Sequence, residues 1–192
     1  MAAFTSPEAS GLSVKIAAPS EIAALQEKLD QFAKNVDAGE GPSLSLSTEE
    51  LNTMLAGFPR FESVKPVFLL QKISSERMSA QVSLPMNSMP GRRAFLNGTI
   101  HFQPVATREV GLHMRAESIE VPGKTVPQGF LEIYQRGVIP GKTFGFLDDM
   151  LVRNFRADKA VGRYLRQIEA VSLSEDAVTV RASPGTPPKD EE

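Results

Sequence analysis

Apolar residues recur at steps of three and four positions between residues 19 and 36, which is the spacing of one helix face. Acidic and basic side chains alternate in mixed order on the other positions. Pro19 suits the first turn of a helix, and the glycines at positions 39 and 41 end the pattern. We therefore predict an amphipathic α-helix packed by one face on its own domain, with a partner-binding helix as the alternative. The apolar face consists of Ile22, Leu25, Leu29, Phe32 and Val36.

A short strand and a second helix follow. Residues 43–47 alternate serine and leucine, which is the pattern of a strand with one buried face. Ser47 and Glu50 have the spacing of a capping box, in which each side chain accepts a hydrogen bond from the backbone N–H of the other residue. The helix that this box begins ends near Gly57, and Asn52 beside its apolar face is interpreted as a surface or boundary amide. The predicted buried residues of this helix are Leu51, Met54 and Leu55.

The middle of the chain has the alternating pattern of antiparallel strands. The predicted strands cover 67–73, 78–84, 93–102 and 110–120. Gly98 interrupts the inward-facing row that contains Leu96 and Ile100, and a glycine at such a position gives up packing. We therefore expect a bulge or a close approach at Gly98, most simply by the first helix lying on the concave face of the sheet.

The two histidines of the chain, His101 and His113, lie on neighbouring predicted strands. If Thr107 is the centre of the hairpin, His101 faces His113 and Phe102 faces Leu112. Two opposed imidazoles could bind a metal ion, but no carboxylate is placed to complete the site. A solvated histidine pair is therefore the preferred interpretation, and no metal site is predicted.

Helices and strands occur in separate blocks. Apolar stripes within 130–165 predict further helices, and 168–173 pairs with 177–182 as a closing hairpin. Segregated blocks without βαβ alternation are typical of the α+β class. We predict a curved antiparallel meander sheet packed on the N-terminal amphipathic helix, with a helical segment and a closing C-terminal hairpin. The predicted boundaries are a flexible lead-in at 1–18, a single α+β domain at 19–182 and a disordered tail at 183–192.

Composition narrows the possible chemistry. The 192-residue chain has 21 Lys plus Arg and 23 Asp plus Glu, so it lacks the basic excess of a typical nucleic-acid-binding protein. It has no cysteine, which excludes thiol chemistry and disulfides. The sequence contains no phosphate-binding glycine loop, dinucleotide-binding turn or nucleophile elbow. We therefore predict no catalytic residues and no cofactor, and we expect a protein that is not an enzyme and binds no nucleic acid.

The sequence shows no targeting or membrane-spanning segment. No window approaches the run of about 18 apolar residues that a membrane-spanning helix needs. The first 18 residues lack the basic and apolar regions of a secretory signal. We expect no membrane span in this chain. Two locations stay open, namely the cell envelope outside the cytoplasm, if an upstream anchor is missing from this chain, and otherwise the cytoplasm.

Three short motifs resemble small bacterial cell-envelope domains, the YpmS-like and YceB-like families. The motifs are the strand-to-helix segment 45–52, the segments 82–85 and 93–98, and the loop 121–127. These families are distantly similar to the tubular lipid-binding superfamily, in which a bent antiparallel sheet wraps a helix around an apolar groove. The resemblance implies relatives that carry a membrane anchor, and it implies an envelope location and a lipid-related role for this chain.

The resemblance and the apolar side chains together suggest a function. We expect a non-enzymatic bacterial envelope domain that binds a lipid or another apolar small molecule between helix and sheet. The alternative is a structural or adaptor module with a filled core that binds a protein partner. The 11 Phe and 7 Met suit an adaptable apolar cavity and suit an ordinary core equally well. The candidate ligand-binding residues are Leu51, Leu55, Phe68, Leu70, Phe130, Leu131 and Tyr134.

Overall fold

The computed structural model describes residues 4–86, 94–107, 111–127, 129–130, 147–152 and 159–185. Over these ranges the fold is α+β with antiparallel sheets, as the sequence predicted. Short 3₁₀ and π-helical turns occupy Pro59–Phe61 and Asp148–Val152. The helices and strands are α1 (Pro19–Asp37), β1 (Ser43–Ser47), α2 (Thr48–Gly57), β2 (Phe68–Ile73), β3 (Met78–Pro85), β4 (Phe95–Thr107), β5 (Gly111–Glu120), α3 (Lys159–Gln167), β6 (Ile168–Ser174) and β7 (Ala177–Ala182).

The strands of the described ranges form two sheets. Strands β2, β3, β4 and β5 are hydrogen-bonded in sequence order, which is the predicted meander. The C-terminal hairpin forms a separate sheet in the order β1-β7-β6, with Leu44 opposite Val180 and Leu46 opposite Val178. Asp176, in the hairpin turn, has a φ of 64°, which matches the left-handed conformation of tight hairpin turns. The hairpin therefore closes the domain by pairing with the strand that follows α1.

Local sequence signals determine where α1 and α2 begin. The Ala18 N–H donates to the Glu21 carboxylate at 2.9 Å, just before the first turn of α1. In α2 the predicted capping box is present: the Glu50 N–H donates to Ser47 Oγ at 3.1 Å, and the Ser47 N–H donates to Glu50 Oε2 at 2.9 Å. These bonds satisfy backbone donors that lack partners inside the helix. The buried face of α1 contains Leu25, Phe32 and Val36 of the predicted stripe.

The predicted register of the β4–β5 hairpin is wrong. Thr107 pairs with Gly111 rather than lying at the centre of the turn, and β4 continues through Pro104. Strand β3 begins opposite Phe102, so among the described strands Pro104 pairs with β5 alone, and its missing N–H is tolerated there. An irregularity between the His101 and Phe102 pairs shifts the register further. The strand therefore extends to Thr107, past its predicted end at Phe102.

The two histidines consequently do not face each other. His101 is opposite Ser118, and His113 is opposite Val105. The preferred interpretation of a solvated pair is also wrong for His101, whose residue surface is 7% exposed. Among the described residues there is no group of three or more His, Cys, Asp or Glu placed to hold a metal ion.

The expected close approach at Gly98 occurs, but α1 does not make it. A Cβ atom at Gly98 would overlap the main-chain carbonyl oxygen of Glu120, at the end of β5. Glu120 is the last residue of β5 to pair with β4, opposite Thr99. The glycine is required because the end of the neighbouring strand, together with Val121, crosses close to its Cα.

Part of the predicted flexible lead-in is packed on the meander. Ser6 and Phe95 exchange two backbone hydrogen bonds of 2.8 and 2.7 Å. Strand β5 ends opposite Thr99, so it does not reach Phe95, and Ser6 supplies the partner for that exposed backbone. The ring of Phe4 also packs edge-on against Phe130, with ring centroids 4.6 Å apart. The sequence prediction missed this segment because it carries no periodic pattern.

The first part of the predicted disordered tail also has defined partners. The Ser183 N–H donates to the Gln167 carbonyl at 2.8 Å, and the Gly185 N–H donates to the Gly39 carbonyl at 3.1 Å. These bonds place the end of β7 beside the end of α1. The remaining tail residues, 186–192, lie outside the described residues.

Candidate ligand cavity

A cavity of about 330 Å³ lies between α1, α2 and the two sheets. This volume is within the range of small-molecule binding sites, which are mostly apolar and carry few polar groups. Among the described residues that line it, the polar or ionisable side chains are Gln26, Asp30, Arg60 and Tyr164, and the others are apolar. Gln26 and Asp30 are also exposed on α1, so the cavity reaches the surface beside that helix.

The helical wall of the cavity combines two amphipathic faces. Helix α1 contributes Leu29, Phe32 and Ala33, which lie on the predicted apolar side or next to it. Helix α2 contributes the three predicted residues of its own stripe, and the chain after α2 adds two buried aromatic rings. These residues are Leu51, Met54, Leu55, Phe58 and Phe61.

The sheet walls come from alternate positions of the strands, because successive side chains in a strand point to opposite faces. The meander contributes Phe68, Leu70, Met78, Phe102, Leu112 and Met114. The second sheet contributes Leu44, Leu46, Ile168, Val178 and Val180. The cavity is therefore bordered by elements from both ends of the chain.

Asn52 holds one wall of the cavity in place. Its Nδ2 donates to the Leu70 carbonyl at 2.7 Å, and the Leu70 N–H donates to its Oδ1 at 3.1 Å. The side chain thus pairs with the outer edge of β2 as a neighbouring strand would, and it satisfies two edge groups that would otherwise need water. The interpretation of Asn52 as a surface or boundary amide agrees with its partial exposure but missed this role.

The structure brings four of the seven candidate residues to the cavity, namely Leu51, Leu55, Phe68 and Leu70. Phe130 is not among the lining residues and contacts Phe4 instead. Leu131 and Tyr134 lie outside the described residues.

The sequence analysis missed several lining residues, for two different reasons. Phe102, Leu112 and Met114 lie at alternating positions of the strands predicted at 93–102 and 110–120, so the alternation was a usable signal for them. Phe58 and Phe61 lie in and beside a single 3₁₀ turn, where no periodic pattern exists to indicate burial. Both rings nevertheless become part of the wall.

An ion pair joins α1 to α2 beside the cavity. Lys28 Nζ lies 2.6 Å from Glu50 Oε1, and both side chains are about one-third exposed, at 39% and 34%. Burial raises the pKa of Glu50, but the hydrogen bonds from Lys28 and from the Ser47 N–H outweigh it and hold that pKa below its usual value. The carboxylate of the α2 capping box therefore also positions α1.

The C-terminal end of α1 is joined to α3. The Tyr164 hydroxyl donates to Asp37 Oδ2 at 2.8 Å, and Arg163 Nη2 donates to the same oxygen at 3.1 Å. Burial and the Asp37 carboxylate raise the pKa of Tyr164, so the phenol stays protonated and continues to donate. Helix α1 is thus held at Lys28 and at Asp37, on either side of the cavity-lining Leu29, Phe32 and Ala33.

A serine, a histidine and a carboxylate meet on the meander, away from the cavity. Ser79 Oγ lies 2.8 Å from His101 Nδ1, and Glu120 Oε1 lies 3.2 Å from His101 Nε2. Ser79 and His101 are paired across β3 and β4 at positions next to the cavity-lining Met78 and Phe102, so they point to the opposite face of the sheet. The group joins three strands and contributes nothing to the cavity.

Comparisons with protein-family models, with curated proteins and with solved structures found no match for this chain. The resemblance to the YpmS-like and YceB-like families therefore stays a prediction. None of the helices in the described part of the chain is long and apolar enough to cross a membrane.

Proposed function

We propose that this chain is a non-enzymatic domain that binds a lipid or another apolar molecule in the cavity between α1, α2 and the two sheets. The observation that carries the proposal is a cavity of about 330 Å³ with an almost entirely apolar wall. A location in the bacterial cell envelope rests on the resemblance alone and belongs to the same proposal.

The cavity supports ligand binding because protein interiors are normally close-packed. A natural core contains few voids larger than a water molecule, and its side chains lose dispersion contacts wherever a void remains. An apolar wall also offers water few hydrogen-bond partners, so water fills such a space poorly. An apolar ligand restores the missing contacts and is the kind of occupant that this wall favours.

The cavity also favours lipid binding over the adaptor alternative. A structural module that recruits a protein by its surface requires only a filled core. Here, phenylalanine side chains such as Phe32, Phe68 and Phe102 are buried and still border an open space. Nothing in the contacts of the described residues indicates a particular protein partner.

Native mass spectrometry of the full chain, purified from bacterial cells without detergent, tests the proposal. We expect adducts with the mass of a lipid on the parent protein. Ala33→Phe places a ring into the cavity from α1 and should remove the adducts. Ala23→Phe is the matched control, because Ala23 is exposed on the same helix and does not line the cavity.

Two outcomes would overturn this proposal. One is a parent protein that carries no adduct and binds no added fatty acid or alcohol in calorimetry. The other is an equal yield of adducts from the parent and from Ala33→Phe, because the lipid would then bind outside the cavity.

A further inference from the structure

We propose that the ligand is a single acyl chain of medium length with an anionic head group, and that the head group is bound by Arg60. This inference rests on the proposed function, because it names the class of ligand that the same cavity takes. It follows from the volume of the cavity and from the placement of its few polar side chains.

The volume favours one chain over two. An engineered apolar cavity of about 150 Å³ in another protein binds benzene, a molecule of six carbons. On that scale, the cavity of about 330 Å³ holds about thirteen carbons. A two-chain phospholipid of ordinary length would have to leave most of its hydrocarbon in water.

The polar lining residues differ in exposure and in charge. Gln26 Nε2 donates to Asp30 Oδ1 at 2.8 Å, and both side chains are exposed on α1. The Tyr164 hydroxyl donates to Asp37. Arg60 is the cation among the described lining residues.

Arg60 suits an anionic head group for two reasons. It is half-buried, so an ion pair formed there is screened less than one at the exposed Asp30. A guanidinium has five N–H donors in a fixed planar fork, so it can bind two oxygens of a carboxylate or phosphate and keep another contact as well. Arg60 also lies within the short turn at Pro59–Phe61, where the neighbouring Phe58 and Phe61 rings form part of the apolar wall.

Isothermal titration calorimetry with unbranched carboxylates below their micelle concentrations tests the chain length. From octanoate to dodecanoate the affinity should rise by about fourfold for each added methylene, because each one buries more apolar surface. From dodecanoate to octadecanoate the affinity should level off. A continued rise to octadecanoate at the same slope would contradict a single medium-length chain.

Ligands of the same length test the head group. Dodecanoate and dodecyl phosphate should both bind more tightly than dodecanol, and dodecylamine should bind most weakly. The ratio of the affinities for dodecanoate and dodecyl phosphate distinguishes a carboxylate ligand from a phosphate ligand. Tightest binding of dodecylamine would place the head group at Asp30 and overturn the assignment.

Substitution of Arg60 completes the test. Arg60→Gln should weaken dodecanoate binding tenfold or more, since charge-assisted hydrogen bonds are lost. Its affinity for dodecanol should be unchanged, which also shows that the cavity has kept its shape. Arg77→Gln is the control, because Arg77 is exposed in the β2–β3 turn and does not line the cavity.

The outcomes separate this inference from the proposed function. If dodecanol and dodecanoate bind equally to the parent and to Arg60→Gln, the cavity binds apolar chains but Arg60 does not select the head group. If no ligand of the series binds to the parent, the proposed function itself fails.

Discussion

The two faces of the meander differ in how they are packed. On one face, Phe68, Phe102 and Met114 border an apolar cavity that leaves contacts unmade. On the other face, polar side chains join neighbouring strands and the N-terminal segment by direct hydrogen bonds, as between Ser83 and Asn97. The comparison indicates that the polar face specifies the register of the strands, so the apolar face can stay open for a ligand.

Asn97 shows how the polar face is built. Ser83 Oγ donates to Asn97 Oδ1 at 2.8 Å, and the Ser10 N–H points at both oxygens, 3.1 Å from Ser83 and 3.2 Å from Asn97. Asn97 Nδ2 donates to the Glu8 carbonyl at 2.8 Å. The Asn97 side chain therefore holds the N-terminal segment on β3 and β4. The adjacent Gly98 is required for a different reason, namely the close approach of the Glu120 carbonyl.

The largest effect is expected at Gly98. Gly98→Val should lower the free energy of unfolding by about 3 kcal/mol, because the new side chain overlaps the Glu120 carbonyl and the strand must shift. Urea denaturation followed by circular dichroism measures the loss. Gly11→Val is the control for the chemical change itself, because a Cβ at Gly11 meets nothing within 4 Å and Gly11 does not have a positive φ. If Gly98→Val were as stable as the parent, the close crossing of β5 over β4 would be refuted.

The next largest effect is expected at Asn97. Asn97→Ala removes the partners of Ser83, Ser10 and Glu8 and should cost about 2 kcal/mol of unfolding free energy, because the buried Ser83 hydroxyl loses an acceptor. Hydrogen exchange at the Ser10 amide should become faster in the same variant. Asn97→Asp keeps the acceptor for Ser83 and Ser10, but its carboxylate has no donor for the Glu8 carbonyl, so this variant should also lose stability. Unchanged exchange at Ser10 would show that the N-terminal segment does not depend on Asn97.

A position on the cavity wall should tolerate a larger side chain, whereas a fully packed position should not. Ala33→Phe adds a ring into open space and should change the unfolding free energy by less than about 1 kcal/mol, whereas the same substitution at the fully buried Ala80 should cost several times more. Thermal and urea denaturation of the two variants give the comparison. Equal destabilisation at both positions would mean that the space beside Ala33 is already filled.

The smallest effect is expected from the ion pair beside the cavity. The pKa of Glu50 is lower in the folded chain than its usual value, so the carboxylate adds stability above the unfolded-state pKa and loses it as the pH falls through the folded-state pKa. The difference in melting temperature between the parent and Glu50→Gln should therefore be present at neutral pH and disappear in acid. A difference in melting temperature that grew as the pH fell would contradict a lowered pKa of Glu50 in the folded chain.

Sequence reasoning succeeded where the structure is determined by local signals. The apolar stripe of α1 and the Ser47–Glu50 capping box predicted both helices, because helix periodicity and capping depend on residues a few positions apart. The hairpin of β6 and β7 was predicted for the same reason. Four candidate lining residues followed from these patterns, since an apolar face must pack against something.

The misses arise from interactions between distant parts of the chain. The β4–β5 register depends on an irregularity near His101 and on a strand that continues through Pro104, and neither can be read from alternation. The pairing of β1 with β7 joins residues more than a hundred positions apart. The cavity exists because these elements do not completely fill the space between them. Residue patterns along the chain carry no information about the volume that is left empty.

The most direct test of the central claim is a crystal structure of the chain bound to a dodecanoate analogue with bromine at the end of the acyl chain. The account predicts an anomalous bromine peak inside the cavity, among Leu55, Phe102 and Met114, with the carboxylate near Arg60. It would be contradicted by a cavity that is closed by side chains, with bromine found only on the outer surface.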